Sequence, residues 1–249
     1  VVAARPRLGS VKNILITGAS SGIGAATAQL LAAQGHRILL GARRTERLAG
    51  LVKEIEAEGG RADHQELDVT SLESMRAFAA IAQEKYGRID VLVNNAGVMP
   101  LSLVQDLRVE DWNQMIDVNL RGTLHGVAAV LPVMREQGAG HIINVASVSA
   151  YRVDPTAAVY CANKFAVRAL SEGLRQESRE VRVTVVAPGF VKTELTLQGG
   201  DSEVRAATRA ASDELGLPAS AVAEAIVFAI AQPDGVDVGE VVVRSTVQG

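Results

Sequence analysis

The stretch Val11-Lys12-Asn13-Ile14-Leu15-Ile16-Thr17-Gly18-Ala19-Ser20-Ser21-Gly22-Ile23-Gly24 decides the fold. A short apolar run, residues 11–17, ends in a Gly/Ser turn, and residues 22–33 then carry a helical pattern stopped by Gly35. Strand, glycine turn and helix in that order make a dinucleotide cradle. Glycines permit the tight turn and the close approach of a pyrophosphate, which then meets the helix N-terminus. The spacing is G-x-x-x-G-x-G, from Gly18, Gly22 and Gly24, rather than the more familiar G-x-G-x-x-G.

The alternation continues outward from this stretch. Residues 37–41, 61–67, 89–93, 141–146, 181–187 and 238–243 read as strands. Residues 45–58, 71–86, 109–137, 157–178 and 219–231 read as helices, with Ser71 as N-cap and Gly87 past the end of the helix at 71–86. Pro132 is expected to kink or end the long helix. Strands alternating with helices predict a mostly parallel sheet of about seven strands, covered on both faces, with ligands at the carboxyl ends of the strands. One domain spanning 1–249 is expected, without linker, repeat or low-complexity tract. The least regular part, residues 189–217, follows Pro188-Gly189 and reads as a mobile lid.

Composition narrows the function. The net charge is −3 in 249 residues with 48% hydrophobic side chains, which disfavours disorder, nucleic acid and anionic membranes. No apolar run reaches the length of a membrane span. The start Val1-Val2-Ala3-Ala4-Arg5-Pro6-Arg7 does not resemble a signal peptide, and a cytoplasmic location is expected. The single cysteine, Cys161, excludes an intrachain disulfide and reads as a buried structural thiol. His36, His64, His125 and His141 show no paired ligand spacing, so no metal is expected.

Tyr160 and Lys164 stand four residues apart, on one face of a helix. A phenol beside an ammonium can give or take a proton near neutral pH, because the positive charge favours phenolate. Together with the glycine spacing, this pair resembles the short-chain dehydrogenase/reductase family. The family's other marks follow in order: Asn94-Asn95-Ala96-Gly97 after the fourth strand, Asn119 in the long helix, Ser147 past the fifth strand, Pro188-Gly189 after the sixth, and Thr193 beyond.

The resemblance covers nearly the whole chain and implies a doubly wound, Rossmann-like fold and hydride transfer between NADP(H) and a ketone or aldehyde, or oxidation of a secondary alcohol in reverse. It implies that Tyr160 is the general acid/base, that Lys164 lowers its pKa and holds the nicotinamide ribose, that Ser147 orients the substrate oxygen, and that Asn119 holds a relay water. Gly18, Ser20, Ser21, Gly22, Ile23 and Gly24, with Pro188 and Gly189, would hold the cofactor. Asp68 and Val69 would meet the adenine, Asn95, Ala96 and Gly97 the adenosine ribose side, and Val191 and Thr193 the carboxamide. Asp68 is equally readable as the N-cap of the helix that follows it.

The end of the second strand, Gly41-Ala42-Arg43-Arg44, lacks the carboxylate that binds a ribose 2′-hydroxyl; Arg43, with Arg44, suits a 2′-phosphate. The resemblance also implies a pocket of Val98, Met99, Val148, Ser149, Tyr151, Val153, Phe190 and Leu195. With no Arg or His placed to hold an anion, it favours an uncharged, partly hydrophobic small carbonyl or alcohol. The tail from Gly239 to Gln248 is similar to that of broad-specificity carbonyl reductases and would cap a neighbouring subunit's site. The apolar face Phe165, Ala166, Ala169, Leu170 and Leu174 reads as core or subunit interface, and the resemblance implies that its helix packs between subunits in a homotetramer. The departures are Asn163, where the family commonly has Ser or Thr, and Ser178-Arg179-Glu180, which lacks a helix-ending Gly. The alternatives are a reductase of one metabolite, such as a 3-oxoacyl thioester or a hydroxy amino acid, and a non-catalytic NADP-binding sensor; the latter typically lacks the Tyr or Lys present here.

Overall fold

The computed structural model describes residues 10–233 and 235–248; the start of the chain, residues 1–7, lies outside them. Seven parallel strands form one sheet in the order β3-β2-β1-β4-β5-β6-β7. They are β1 (Asn13–Thr17), β2 (Arg37–Ala42), β3 (Arg61–Glu66), β4 (Val91–Asn94), β5 (Gly140–Val145), β6 (Val181–Pro188) and β7 (Glu240–Val243). The helices are α1 (Gly22–Ala33), α2 (Thr45–Ala57), α3 (Leu72–Tyr86), α4 (Val109–Met115), α5 (Gly122–Glu136), α6 (Ala158–Glu177), α7 (Ser202–Leu215) and α8 (Ala219–Ile230). None is long and apolar enough to cross a membrane among the described residues.

The central strands are buried throughout because both faces are covered. Side chains alternate along each strand. Ile14 and Ile16 of β1, with Ile38 and Leu40 of β2, pack on one side against Leu31 of α1, Leu48 and Ile55 of α2, and Val222 and Ile226 of α8. Leu15, Leu39 and Leu92 face the other way, against Met75 and Phe78 of α3 and Val130 and Met134 of α5. The order of strands reverses direction between β1 and β4, so the loops leaving those two strands part and open a crevice at the carboxyl edge.

Element boundaries shift by a residue or two from the sequence expectation; the exposed Val11, for one, precedes β1. Ser71 caps α3 as expected, its Oγ accepting from the Ser74 N–H at 3.2 Å. Residues 109–137 differ more. The helix does not end at Pro132; it runs on to Glu136, held by the buried side chains of Ala129, Val130 and Met134. The interruption is earlier, a π-helical segment at Ile116–Arg121 between α4 and α5, and Asn119 sits within it.

The edge of the sheet opposite the crevice carries a buried histidine. His141 at the start of β5 has Nε2 2.8 Å from Thr184 Oγ1, and its Nδ1 faces Arg182 Nη2 at 3.3 Å. A guanidinium only donates, so Nδ1 is the acceptor and the ring is neutral. Burial first, then the charges of Arg182 and Lys12, hold its pKa down at about 3. The unfolded chain therefore takes up this proton near pH 6.5, before the folded one does. Stability from this group is complete above pH 6.5 and drains as pH falls towards 3, by about 2 kcal/mol between pH 6.5 and 5. Urea unfolding at pH 7.5 and 5 should show this loss, and His141→Gln should shrink it; an equal loss in both proteins would assign it elsewhere.

Candidate active site

The crevice begins with the glycine turn. Gly18 and Gly22 have φ of +65° and +57°, in the left-handed region. A Cβ on Gly18 would lie 2.7 Å from the Ala96 Cα, so β1 and β4 approach backbone to backbone here. Asn95 locks the approach. Its N–H donates to Thr17 Oγ1 at 3.0 Å, and its Nδ2 donates to the carbonyls of Thr17 and Gly18 at 2.9 and 3.2 Å. Gly24 does not line the crevice; a Cβ there would strike Asn95 Nδ2 at 2.6 Å, so its role is to let α1 pack. At the start of α1 the Ser21 hydroxyl does not cap the helix, and the first turn holds no acidic residue. The orphan N–H groups and the positive end of the helix dipole are left for an anion, as a pyrophosphate requires.

β2 ends at the buried Ala42 without a carboxylate. Arg43 lines the cleft, exposed, with no ion pair among the described residues. Arg44 is more engaged. Its Nε and Nη2 donate to Ser20 Oγ at 3.1 and 2.9 Å, Nη2 also reaches Ser21 Oγ at 2.8 Å, and Nη1 meets Glu194 at 2.7 Å. Arg47 joins the same carboxylate at 2.7 Å, and hydrogen bonds from the two guanidiniums hold the Glu194 pKa down at about 2. Glu194 thus ties the segment after β6 to the cationic end of β2. Nothing local in the sequence signals a pairing across 150 residues. Asp68 is not a helix cap: its Oδ1 accepts from the N–H and hydroxyl of Thr70 at 3.0 and 2.8 Å, and with Val69 it lines the cleft.

Ser147, Tyr160 and Lys164 come together on the far side of the same cleft, whose volume is about 340 Å³. Ser147 is also a turn residue, its Oγ accepting from the Ser149 N–H at 3.1 Å at the head of a short 3-10 turn. Tyr160 and Lys164 follow one another in the first turns of α6, both buried, with Lys164 Nζ 5.7 Å from the phenol ring centre. Nζ donates to the Val145 carbonyl at 2.9 Å.

The expected lowering of the Tyr160 pKa is not met in the protein alone. Burial pushes the phenol up to about 12, opposed only by its hydrogen bond with Ser147. The same burial pushes the Lys164 ammonium down to about 8. Asn119 is buried in the π segment. Its Oδ1 accepts from the Val98 N–H at 2.8 Å and its Nδ2 donates to the Val98 carbonyl at 2.9 Å, so its side chain braces the backbone after β4. Cys161 is buried and is not among the residues lining the cleft.

Of the expected substrate pocket, Val98, Met99, Val148, Ser149, Phe190 and Leu195 line the cleft. Tyr151 and Val153 do not. The Tyr151 hydroxyl donates to Glu240 at 2.9 Å, with the Arg168 guanidinium 4.4 Å from its ring centre, and Val153 is 65% exposed. Ala96, Gly97, Pro188, Gly189, Ile23, Val191 and Thr193 stand on the cleft walls, Thr193 against Gly22. The walls are more polar than expected. Arg152 lines the cleft, its Nε 3.3 Å from Asp154, and Gln248 lines it too. A short turn from Ser245 places the Gln248 side chain against the cleft of its own chain.

The family model for short chain dehydrogenase matches residues 12–203. An uncharacterised oxidoreductase of Staphylococcus saprophyticus is 43% identical over 244 residues, covering 95% of this chain and 97% of that protein. Among solved structures, an alcohol dehydrogenase of the archaeon Thermococcus sibiricus, complexed with 5-hydroxy-NADP, is 32% identical with a TM-score of 0.86, over 96% of this chain and 98% of the other. The closed form of a serine dehydrogenase complexed with NADP+ is 32% identical with a TM-score of 0.87, over 95% and 96%.

Proposed function

The chain is an oxidoreductase of the short-chain dehydrogenase/reductase family, and from that premise we propose that it is an NADP-dependent enzyme moving a hydride between the cofactor and a small carbonyl or secondary alcohol. The convergence of Ser147, Tyr160 and Lys164 on the cleft that the glycine turn opens carries this reading. The uncapped start of α1, with Ser20 and Ser21 beside it, suits a pyrophosphate. Arg43 beside Ala42 suits a 2′-phosphate, and similar structures bind NADP in some cases and NAD in another. Asp68 and Val69 would flank the adenine, and Val191 and Thr193 the carboxamide.

When bound, NADPH supplies the hydride. Tyr160, protonated at neutral pH, gives its proton to the carbonyl oxygen as negative charge develops there. Ser147 donates a hydrogen bond to the same oxygen and fixes its place. Lys164, tethered to Val145, keeps a positive charge behind the phenol and so offsets the phenolate left after transfer. Asn119 acts as a positioning residue, holding Val98 through the π turn. In the reverse direction Tyr160 accepts the alcohol proton.

The exposed apolar side chains of Ile116, Leu124 and Phe165 around α4–α6 support self-association as a homotetramer. A second reading, a dedicated dehydrogenase of a hydroxy amino acid, draws on the serine dehydrogenase likeness and on the Arg152–Asp154 pair lining the cleft. A panel of ketones, aldehydes and secondary alcohols with NADP(H) and NAD(H), followed by nicotinamide absorbance, tests the reading. Turnover favouring NADPH by more than about tenfold is expected. Absence of turnover on the whole panel would overturn it.

A further inference from the structure

β7 pairs with the end of β6, Val243 beside Pro188, and the chain beyond it folds back over the cleft. The Gln248 N–H closes that turn on the Ser245 carbonyl at 3.0 Å. The side chain is 7% exposed. Its Oε1 accepts from the Phe190 N–H at 2.9 Å, and because a backbone N–H only donates, the amide's orientation is fixed, with oxygen to Phe190 and nitrogen the other way. Gly189 makes the room: a Cβ there would stand 2.1 Å from Oε1. Gln248 lines the same cleft as Ser147 and Tyr160, and no described residue accepts a hydrogen bond from its Nε2. Although Gln248 as a whole is nearly buried, its Nε2 is not among the buried atoms left without a partner, so it stays accessible and offers two donors to a ligand. The reacting oxygen does not need them, since Tyr160 and Ser147 already serve it.

We propose that Gln248 is a specificity-determining residue whose Nε2 donates to a second oxygen of the substrate, beyond the reacting carbonyl. The preferred substrates are then oxo or hydroxy compounds bearing a further acceptor (carboxylate, ester, amide or hydroxyl), and plain ketones are the poorer class. Arg152 and Asp154, which line the cleft, form an ion pair and cancel in net charge, so the site reads the acceptor rather than charge. The inference rests on the carbonyl reading of the cleft. A site built to hydrogen-bond a substrate oxygen rejects the analogue without it, because its donor is then left unpaired.

The test compares methyl 3-oxobutanoate with heptan-2-one, which has the same number of heavy atoms, each reduced with NADPH by the wild type, Gln248→Glu and Gln248→Ala. Glu keeps an oxygen for the Phe190 N–H and replaces the donor with an acceptor, so a purely structural role survives in it. The wild type should prefer the ester. The ester-to-ketone ratio of kcat/KM should fall about tenfold in both variants, mainly through KM for the ester. Comparison of each variant with the wild type cancels the intrinsic reactivity of the two carbonyls. A wild-type ratio in Gln248→Glu, an equal fall for both substrates, or a wild type that prefers the ketone would overturn the proposal and leave the oxidoreductase reading standing. No turnover of these two or of the wider panel would overturn that reading, and the proposal with it.

Discussion

Tyr160→Phe should lower kcat by about a thousandfold while NADPH binds with nearly unchanged affinity. General acid catalysis is worth ~10²–10⁴ in rate, and this substitution removes the proton without removing the ring. The ring fills a buried site at the start of α6, and Phe keeps its volume, so packing is retained. Ser147 remains to hold the substrate oxygen, which leaves some residual rate. Single-turnover reduction measures the chemical step, and quenching of NADPH fluorescence measures binding. A rate within tenfold of the wild type would remove Tyr160 from the mechanism; a parallel loss of NADPH affinity would mean that the phenol mainly builds the cofactor site.

The second large effect concerns the cofactor. Arg43→Ala should lower kcat/KM for NADPH by roughly 10- to 100-fold and that for NADH by less than about threefold. A hydrogen bond to a charged group contributes about 1.5–3 kcal/mol, which is that range when the partner is a 2′-phosphate. NADH has no such phosphate and loses nothing specific. Arg43 lines the cleft and is bound to no carboxylate among the described residues, so removing it leaves none of their charges unpaired. Arg44 behaves differently, because it also ties Ser20 and Ser21 to Glu194, and its loss would disturb both cofactors. Steady-state kinetics with each cofactor decide the matter: an equal fall for both would show that Arg43 does not read the phosphate.

Much of this arrangement is legible in the chain. The buried strands announce themselves as apolar runs, because a parallel sheet covered on both faces leaves no polar side to alternate with. The glycine turn and the Tyr160–Lys164 spacing are local patterns, and local patterns survive in one dimension. What is not legible depends on pairing at a distance or on a small irregularity. The π segment around Asn119 inserts into a helix without breaking its apolar periodicity, so Pro132 draws the eye while the true interruption passes unseen. Glu194 finds Arg44 and Arg47 only once β2 and the segment after β6 meet at the sheet edge. Tyr151 and Val153 follow Ser147 closely, but the 3-10 turn sends them outward, while Arg152 between them reaches the cleft. Burial explains the Tyr160 pKa: spacing shows that a cation is near, and only the packed structure shows how little water reaches either group.

The strand order carries a consequence for synthesis. After β3, β4 docks back on β1, and from there β5, β6 and β7 each dock beside the strand made just before, so the sheet grows at one edge in the order of translation. Until β7 arrives, β6 presents an open edge. The glycine turn leaves the ribosome on the order of ten seconds or more before Gln248 does, at ordinary elongation rates. A nascent chain therefore holds half a cleft for most of its assembly, and the wall that completes it is the last one made.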